Sequence, residues 1–225
     1  MSYAINWDNV GERFYETGVK NGVLYVQQAS GAYGAGVPWN GLTAVTESPS
    51  GAEATALYAD DTKYLNLVSA EEFSGTIEAY TYPTEFMQCD GTAAVVEGMY
   101  IGQQARTPFG LCYSTVIGND TVGEGYGEKI HIVYGALAAP SEKAYSTIND
   151  SPEAITFSWE FSTTPVDVAD YKKTATVVID STKISAAALT AIKEALYGVE
   201  GESAKAPSLL LPAEIKALIE ANPAA

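Results

Sequence analysis

The sequence predicts a mainly β protein, and three observations carry that prediction. Apolar and polar residues alternate with a period of two, most cleanly in "PEAITFSWEFSTTP" at 152–165. There Ile155, Phe157, Trp159 and Phe161 fall on one side, and Thr156, Ser158, Glu160 and Ser162 on the other. β-Branched and aromatic residues recur from about Tyr3 to Asp180, and the chain holds 15 tyrosines. Gly, Pro, Asn and Asp interrupt these runs at short intervals, as turns between strands require.

The elements follow in order. Short strands are predicted at 22–28 (GVLYVQQ), 54–59 (ATALYA) and 62–68 (TKYLNLV). Ala59-Asp60-Asp61 turns the chain between the last two, because Asp tolerates turn geometry and bonds its own backbone, so 53–67 reads as a hairpin. A longer strand at 71–82 puts Glu72, Ser74, Thr76 and Glu78 on one side and Phe73, Ile77 and Ala79 on the other. A short helix is predicted at Pro83–Met87, with proline suited to its first turn. Further strands are predicted at 109–117, 128–138, 153–162 and 174–180, and loops at Gly31–Pro38 and Gly118–Gly127.

Past Asp180 the period becomes helical. Ser185 suits an N-cap, Leu189, Ile192 and Leu196 share a face, and Gly198 suits the end. Residues 198–208 read as a linker. A last helix over 212–221 starts near Pro212, buries Ile215, Leu218 and Ile219, and stops at Asn222-Pro223. The expected organisation is a β domain at 1–182 and a C-terminal helical extension at 183–225. At 225 residues the chain can hold one sizeable core or two small ones.

Composition excludes several classes. With 28 acidic and 12 basic residues the net charge is −16, and such a surface repels nucleic acid instead of gripping it. No apolar run approaches the roughly 20 residues of a membrane-spanning helix. The start, "MSYAINWDNVGERF", lacks the basic and apolar stretches of a secretion signal, so Cys89 and Cys112 are expected as free thiols.

No catalytic constellation emerges. His131 is the only histidine, and it sits within a predicted strand. One His and two distant Cys cannot assemble a zinc set. Asp120, Glu124 and Glu128 lack the regular oxygen spacing of a calcium loop. "GAYGAGVPWNG" has no following Gly-Lys-Ser/Thr and no helix, so it is not a phosphate cradle. Neither a cofactor nor an enzymatic activity is expected.

Three segments carry a resemblance: "WDNVGERFYETGVKNGVLYV" (7–26), "WNGLTAVTESPSGAEATALYADDTKYLNL" (39–67) and "YGALAAPSEKAYSTINDSPEAITFSWEFSTTPV" (134–166). Together they resemble the major tail tube protein of siphoviruses, phages with long non-contractile tails, over about residues 5–200. The "LLLPAEIKALI" end is similar to members of that family too. The resemblance implies a β-sandwich/barrel tail-tube fold that contributes strands to an inter-subunit β-barrel. It implies a structural virion protein whose hexameric rings stack into a hollow tube, through which DNA passes without specific binding. Implied partners are other copies of the chain, the tape measure protein, the tail tip or baseplate, and the tail terminator. Assembly would take place in the host bacterial cytoplasm.

Within that frame two sets of residues become candidates. Glu72, Ser74, Thr76, Glu78, Thr156, Ser158, Glu160 and Ser162 form two rows without Lys or Arg, suited to lining a DNA conduit, since a basic wall would hold phosphates. Alternatively the rows face outside solvent. Tyr58, Asp60, Asp61 and Lys63 mark the end of a hairpin expected to dock on an adjacent subunit, with Lys172, Lys173 or Arg106 as donors to its acidic tip. The rival reading is a β-sandwich virion decoration or carbohydrate-binding module that uses exposed tyrosines.

Overall fold

The computed structural model describes residues 5–148, 150, 153–201 and 204–223. In chain order it contains β1 (Phe14–Val26), β2 (Val37–Pro38), β3 (Leu42–Glu47), β4 (Ser50–Gly51), β5 (Ala54–Ala59) and β6 (Thr62–Val68). There follow β7 (Glu71–Glu72), β8 (Ser74–Ala79), β9 (Ala93–Val96), β10 (Met99–Ile101), β11 (Phe109–Asn119), β12 (Gly123–Ala138), β13 (Phe157–Thr163) and β14 (Thr176–Asp180). Two helices close the chain, α1 (Ala186–Tyr197) and α2 (Pro212–Ala221). The protein is mainly β.

One eight-stranded antiparallel sheet organises the molecule, in the order β2-β1-β11-β12-β13-β8-β3, with β14 also on β12. The branch occurs along β12. Residues Lys129–Val133 pair with β14, and Ala136–Ala138 pair with β13. Gly135 lies between the two stretches at φ +57°, and a Cβ there would sit 2.4 Å from the Thr164 carbonyl oxygen. Its amide donates to the Tyr33 hydroxyl (2.9 Å), and its carbonyl accepts from the Thr164 amide (3.0 Å). Only glycine combines that backbone conformation with so close an approach.

Both faces of the central strands are buried, so they read as continuous apolar runs. On one face Leu24, Leu111, Val133, Ile77, Trp159 and Phe161 build a core with Trp39 and Phe86. Trp159 lies 5.1 Å from Phe86 and 5.8 Å from Trp39 between ring centroids, in edge-on geometries that aromatic quadrupoles favour. On the other face Tyr25, Cys112, Ile132, Tyr134 and Ile179 pack against Ile192, Leu196 and Ile215 of the helices. Hydrogen bonds seal this second core: the Tyr25 hydroxyl donates to the Leu196 carbonyl (2.5 Å) and Tyr134 to that of Leu210 (2.8 Å).

The helices therefore lie on the chain's own sheet. Ser185 caps α1 by accepting from the Ala188 amide (3.0 Å), and its hydroxyl donates to the Asn222 carbonyl at the end of α2 (2.7 Å). Glu214 accepts from the Leu211 amide (2.7 Å) at the start of α2.

Several expected boundaries differ. β1 begins at Phe14 and not at residue 22. Its first half bulges, with Gly18 at φ +68° and Asn21 at φ +55°, and the register against β11 shifts at both places. Strand 71–82 divides into β7 and β8. Most of the predicted loop 118–127 is strand, with a tight turn near Asp120. The helix expected at 83–87 is a single 3-10 turn over Thr84–Gln88. Strands β2, β3, β4, β9 and β10 lie where the sequence predicts none, β2 at the end of the expected loop 31–38.

Candidate functional site

The two polar rows lie side by side. β13 and β8 are antiparallel neighbours, and Ser158 stands opposite Glu78, Glu160 opposite Thr76, and Ser162 opposite Ser74. Residues directly opposite project from the same face, so six of the candidates form one surface. β3 extends it, with Thr46 opposite Thr76 and Ala44 opposite Glu78. The reverse face of the same strands carries Val45, Ile77 and Trp159 in the core.

This face is half-buried to exposed. Glu78 and Glu160 stand on a diagonal of the β8–β13 pair, and no Lys or Arg belongs to either row. The Ser74 hydroxyl donates to the Ser48 carbonyl (2.6 Å), which fixes β3 to β8 beyond their ladder. The two remaining candidates lie off this ladder. Glu72 is in β7 opposite Ser50, and Thr156 precedes β13 by one residue; both are exposed. Sequence reading missed Leu137, which stands opposite Ser162 on the same face and is 40% exposed. Its neighbourhood is set by the branch at Gly135, which no local pattern announces.

Beyond β3 and β8 the same two chain segments continue outward as one long hairpin. β4 pairs with β7 and β5 with β6, and the chain reverses at Asp60 (φ +49°) and Asp61 (φ +59°). Two consecutive left-handed residues make the tight turn whose twist matches paired strands. From Glu47 to the tip the arm can reach up to roughly 40 Å. Nothing among the described residues covers it: Tyr58 is 71% and Tyr64 72% exposed, with Leu67 and Val68 also in solvent. Tyr58 and Lys63 face each other next to the turn. An isolated two-stranded ribbon is marginal in water, so this arm calls for a partner surface.

Of the expected donors, Arg106 is already engaged. Its guanidinium donates to the Ala138 and Ala139 carbonyls (3.1 Å each) and lies 3.5 Å from the Asp90 carboxylate. Lys143 also pairs with that buried carboxylate, so Arg106 neutralises its own subunit. Lys173 pairs only with exposed Asp167 (3.1 Å).

At the root of the arm, Glu47 accepts from the Tyr113 hydroxyl (2.6 Å) and sits 3.5 Å from His131 Nδ1. His131 stacks flat on Tyr113 (4.7 Å between centroids), and its Nε2 meets the Thr115 hydroxyl at 3.1 Å. The His131 imidazole is the largest influence holding the Glu47 carboxyl below the usual range, with Tyr113 adding to it against partial burial. The histidine thus belongs to a clamp at the base of the hairpin.

Cys89 and Cys112 are free and buried in the two different cores, and burial pushes each thiol up to about 12. Neither is a reactive thiolate. Asp120 accepts from the Gly11 amide (3.0 Å) and Glu128 pairs with Lys193, so two of the three acidic residues of this stretch have protein partners, while Glu124 is exposed. Among the described residues no three His, Cys, Asp or Glu converge as a metal site.

No family model and no curated protein matches the chain. Among solved structures it is similar to a chain of the anti-feeding prophage (AFP) baseplate, determined by cryo-EM with 6-fold symmetrisation. The identity is 9%, the TM-score 0.38, and the match covers 78% of this chain and 97% of that one. A likeness at that level is one of outline.

Proposed function

We propose that the chain is a structural subunit of a phage tail tube, of the long non-contractile type. Copies join edge to edge into hexameric rings, and the rings stack around a bore that DNA traverses. The observation that carries this reading is the single acidic and hydroxyl face of β3, β8 and β13, backed by an aromatic core and continued by an uncovered hairpin. β3 ends the sheet with its outer edge free, and an open edge invites another strand. Sharing that edge around a ring closes the sheet, whereas a non-closing contact stacks rings. The hairpin arm supplies the second kind of contact, and Lys172 and Lys173 are the remaining donors for Asp60 and Asp61.

A wall of carboxylates and small hydroxyls leaves the duplex hydrated and mobile, because it offers no cation to exchange for condensed counterions. The test is electron microscopy of the concentrated protein, alone and with tail-tip components. The expected result is a cylinder with Glu78 and Glu160 on its inner wall. A cylinder with these residues outside rejects the lining. Monomers retained on glycans would favour the carbohydrate-binding alternative.

A further inference from the structure

A second uncovered edge lies at β14, away from the β3–β8–β13 ladder in the strand order. Among the described residues β14 pairs only with β12. The Tyr134 amide donates to the Ala175 carbonyl and the Ser181 amide to that of Glu128, so the odd-numbered residues of β14 face β12. The even-numbered ones point away. Thr176 is occupied by the Thr174 hydroxyl, and the Asp180 carbonyl by the Lys183 amide. Val178, 48% exposed, is left to offer its N–H and C=O to a further strand.

Alongside this edge runs a groove of about 570 Å³ between β14 and α2, floored by Val177, Ile179, Ile184, Ile215 and Ile219. Its rim carries Lys183 and Lys216 but also Asp180 and Glu220, so charge does not select the occupant. A free strand edge beside an apolar trough is what strand addition requires: backbone bonds for affinity and alternate side chains for the trough.

The chain contains a segment with the matching pattern. Ile5 and Trp7 are two residues apart, hence on one side of an extended strand, and are 71% and 76% exposed. Val10 is 77% exposed. The segment leaves a turn that is pinned to the rest of the subunit. The Glu12 amide donates to the Asn9 carbonyl (3.0 Å), the Gly11 amide to Asp120 (3.0 Å), and Asn119 Nδ2 to the Gly11 carbonyl (3.2 Å). From this fixed root the arm extends into solvent.

We propose that residues 5–7 of one copy, which precede the left-handed Asp8 (φ +54°), add as a short strand to the free edge of β14 in a second copy, seating Ile5 and Trp7 in the β14–α2 groove. Arm and groove are different surfaces of one chain, so the contact is head-to-tail and propagates from copy to copy. The inference rests on the self-assembly reading above, but uses neither the polar face nor the β5–β6 hairpin.

The experiment places p-benzoylphenylalanine at position 7. Variant chains of natural isotope content are mixed with equal ¹⁵N-labelled variant chains, assembled, irradiated and mapped by mass spectrometry. Cross-links from position 7 to residues 177–184 or 212–220 are expected, with mixed-isotope pairs showing that two copies are joined. Links within a single chain, links between copies at other surfaces, or no links in assembled material overturn the proposal. Cylinders with position 7 linked elsewhere refute the arm contact alone. The expected links in small oligomers that never form cylinders refute the tube alone, and a chain that stays monomeric refutes both. Trp7→Ala is expected to raise the protein concentration needed for assembly roughly tenfold while leaving the circular dichroism spectrum of the subunit unchanged.

Discussion

The two halves of the large sheet differ in a way that separates scaffold from surface. In β11 nearly every residue is buried, because one face meets the aromatic core and the other meets α1 and α2. In β8 burial alternates strictly, with Gly75, Ile77 and Ala79 inside and Ser74, Thr76 and Glu78 half-exposed. The helices cover the first half and leave the second bare. A sheet needs only one apolar face to hold it to a core, so the bare face is free to carry polar chemistry. The same contrast appears within β13 between Trp159 and Glu160, adjacent residues on opposite faces.

That contrast is broken most directly at Trp159. Its ring is fully buried against Trp39, Phe86 and Tyr82, and its indole N–H has no partner among the described residues, so it acts through packing. Trp159→Ala is expected to cost about 3–5 kcal/mol in urea unfolding. A loss below about 1 kcal/mol would mean the aromatic core does not anchor the polar half. Next comes Gly135→Ala, which tests the junction between the halves. The added methyl meets the Thr164 carbonyl at a left-handed backbone position, and a loss of about 2–3 kcal/mol is expected. Hydrogen exchange should locate the damage at the β12–β13 pairing, with β12–β14 less affected.

How much of this was legible beforehand follows from which contacts are local. The Asp60-Asp61 turn, the Ser185 cap and the α1 face are encoded within a few residues, and each was read from the sequence. Each polar row was legible too, because alternation is a property of one strand. The pairing of Ser158 with Glu78 was not, since register is decided by partners 80 residues away. The first half of β1 was hidden because Gly18 and Asn21 interrupt its period with bulges. Gly135 looked like any glycine in an apolar run, and the β14 edge exists only because the sheet branches there. The exposed arm at Ile5 and Trp7 was equally unreadable, since apolar residues ordinarily signal burial.

Smaller effects sharpen the comparison at its margins. Ser185→Ala removes the α1 cap and the tie to Asn222 that holds the cover over the scaffold half, and about 1–2 kcal/mol is expected from thermal unfolding. Glu47 sits on the bare half, at the root of the hairpin. Its folded carboxyl lies below the ordinary value of about 4.3, so ionised Glu47 stabilises the fold. That contribution is fully present above the ordinary value and is lost as pH falls through the lower, folded one. The stability difference between wild type and Glu47→Gln should shrink as pH falls below about 4. A difference that does not shrink below about pH 4 would show that Glu47 is not held as an anion by Tyr113 and His131.

The smallest change in stability is expected at the polar rows, and there it separates fold from function. Glu78 and Glu160 project from the bare face without a salt-bridge partner among the described residues, so Glu78→Lys with Glu160→Lys should move unfolding by no more than about 0.5 kcal/mol per site. The same double change puts two cations per subunit on the proposed wall of the bore. Each one that meets a phosphate adds about 0.9 to the slope of log affinity against log salt. Variant cylinders should therefore retain short duplex DNA near about 50 mM salt and release it near about 200 mM, whereas wild-type cylinders retain none at either. Variant cylinders that ignore DNA would place the β3–β8–β13 face outside the bore. The likeness of two acidic rows across a strand pair would then reflect solubility, which the rest of this anionic chain already has in excess.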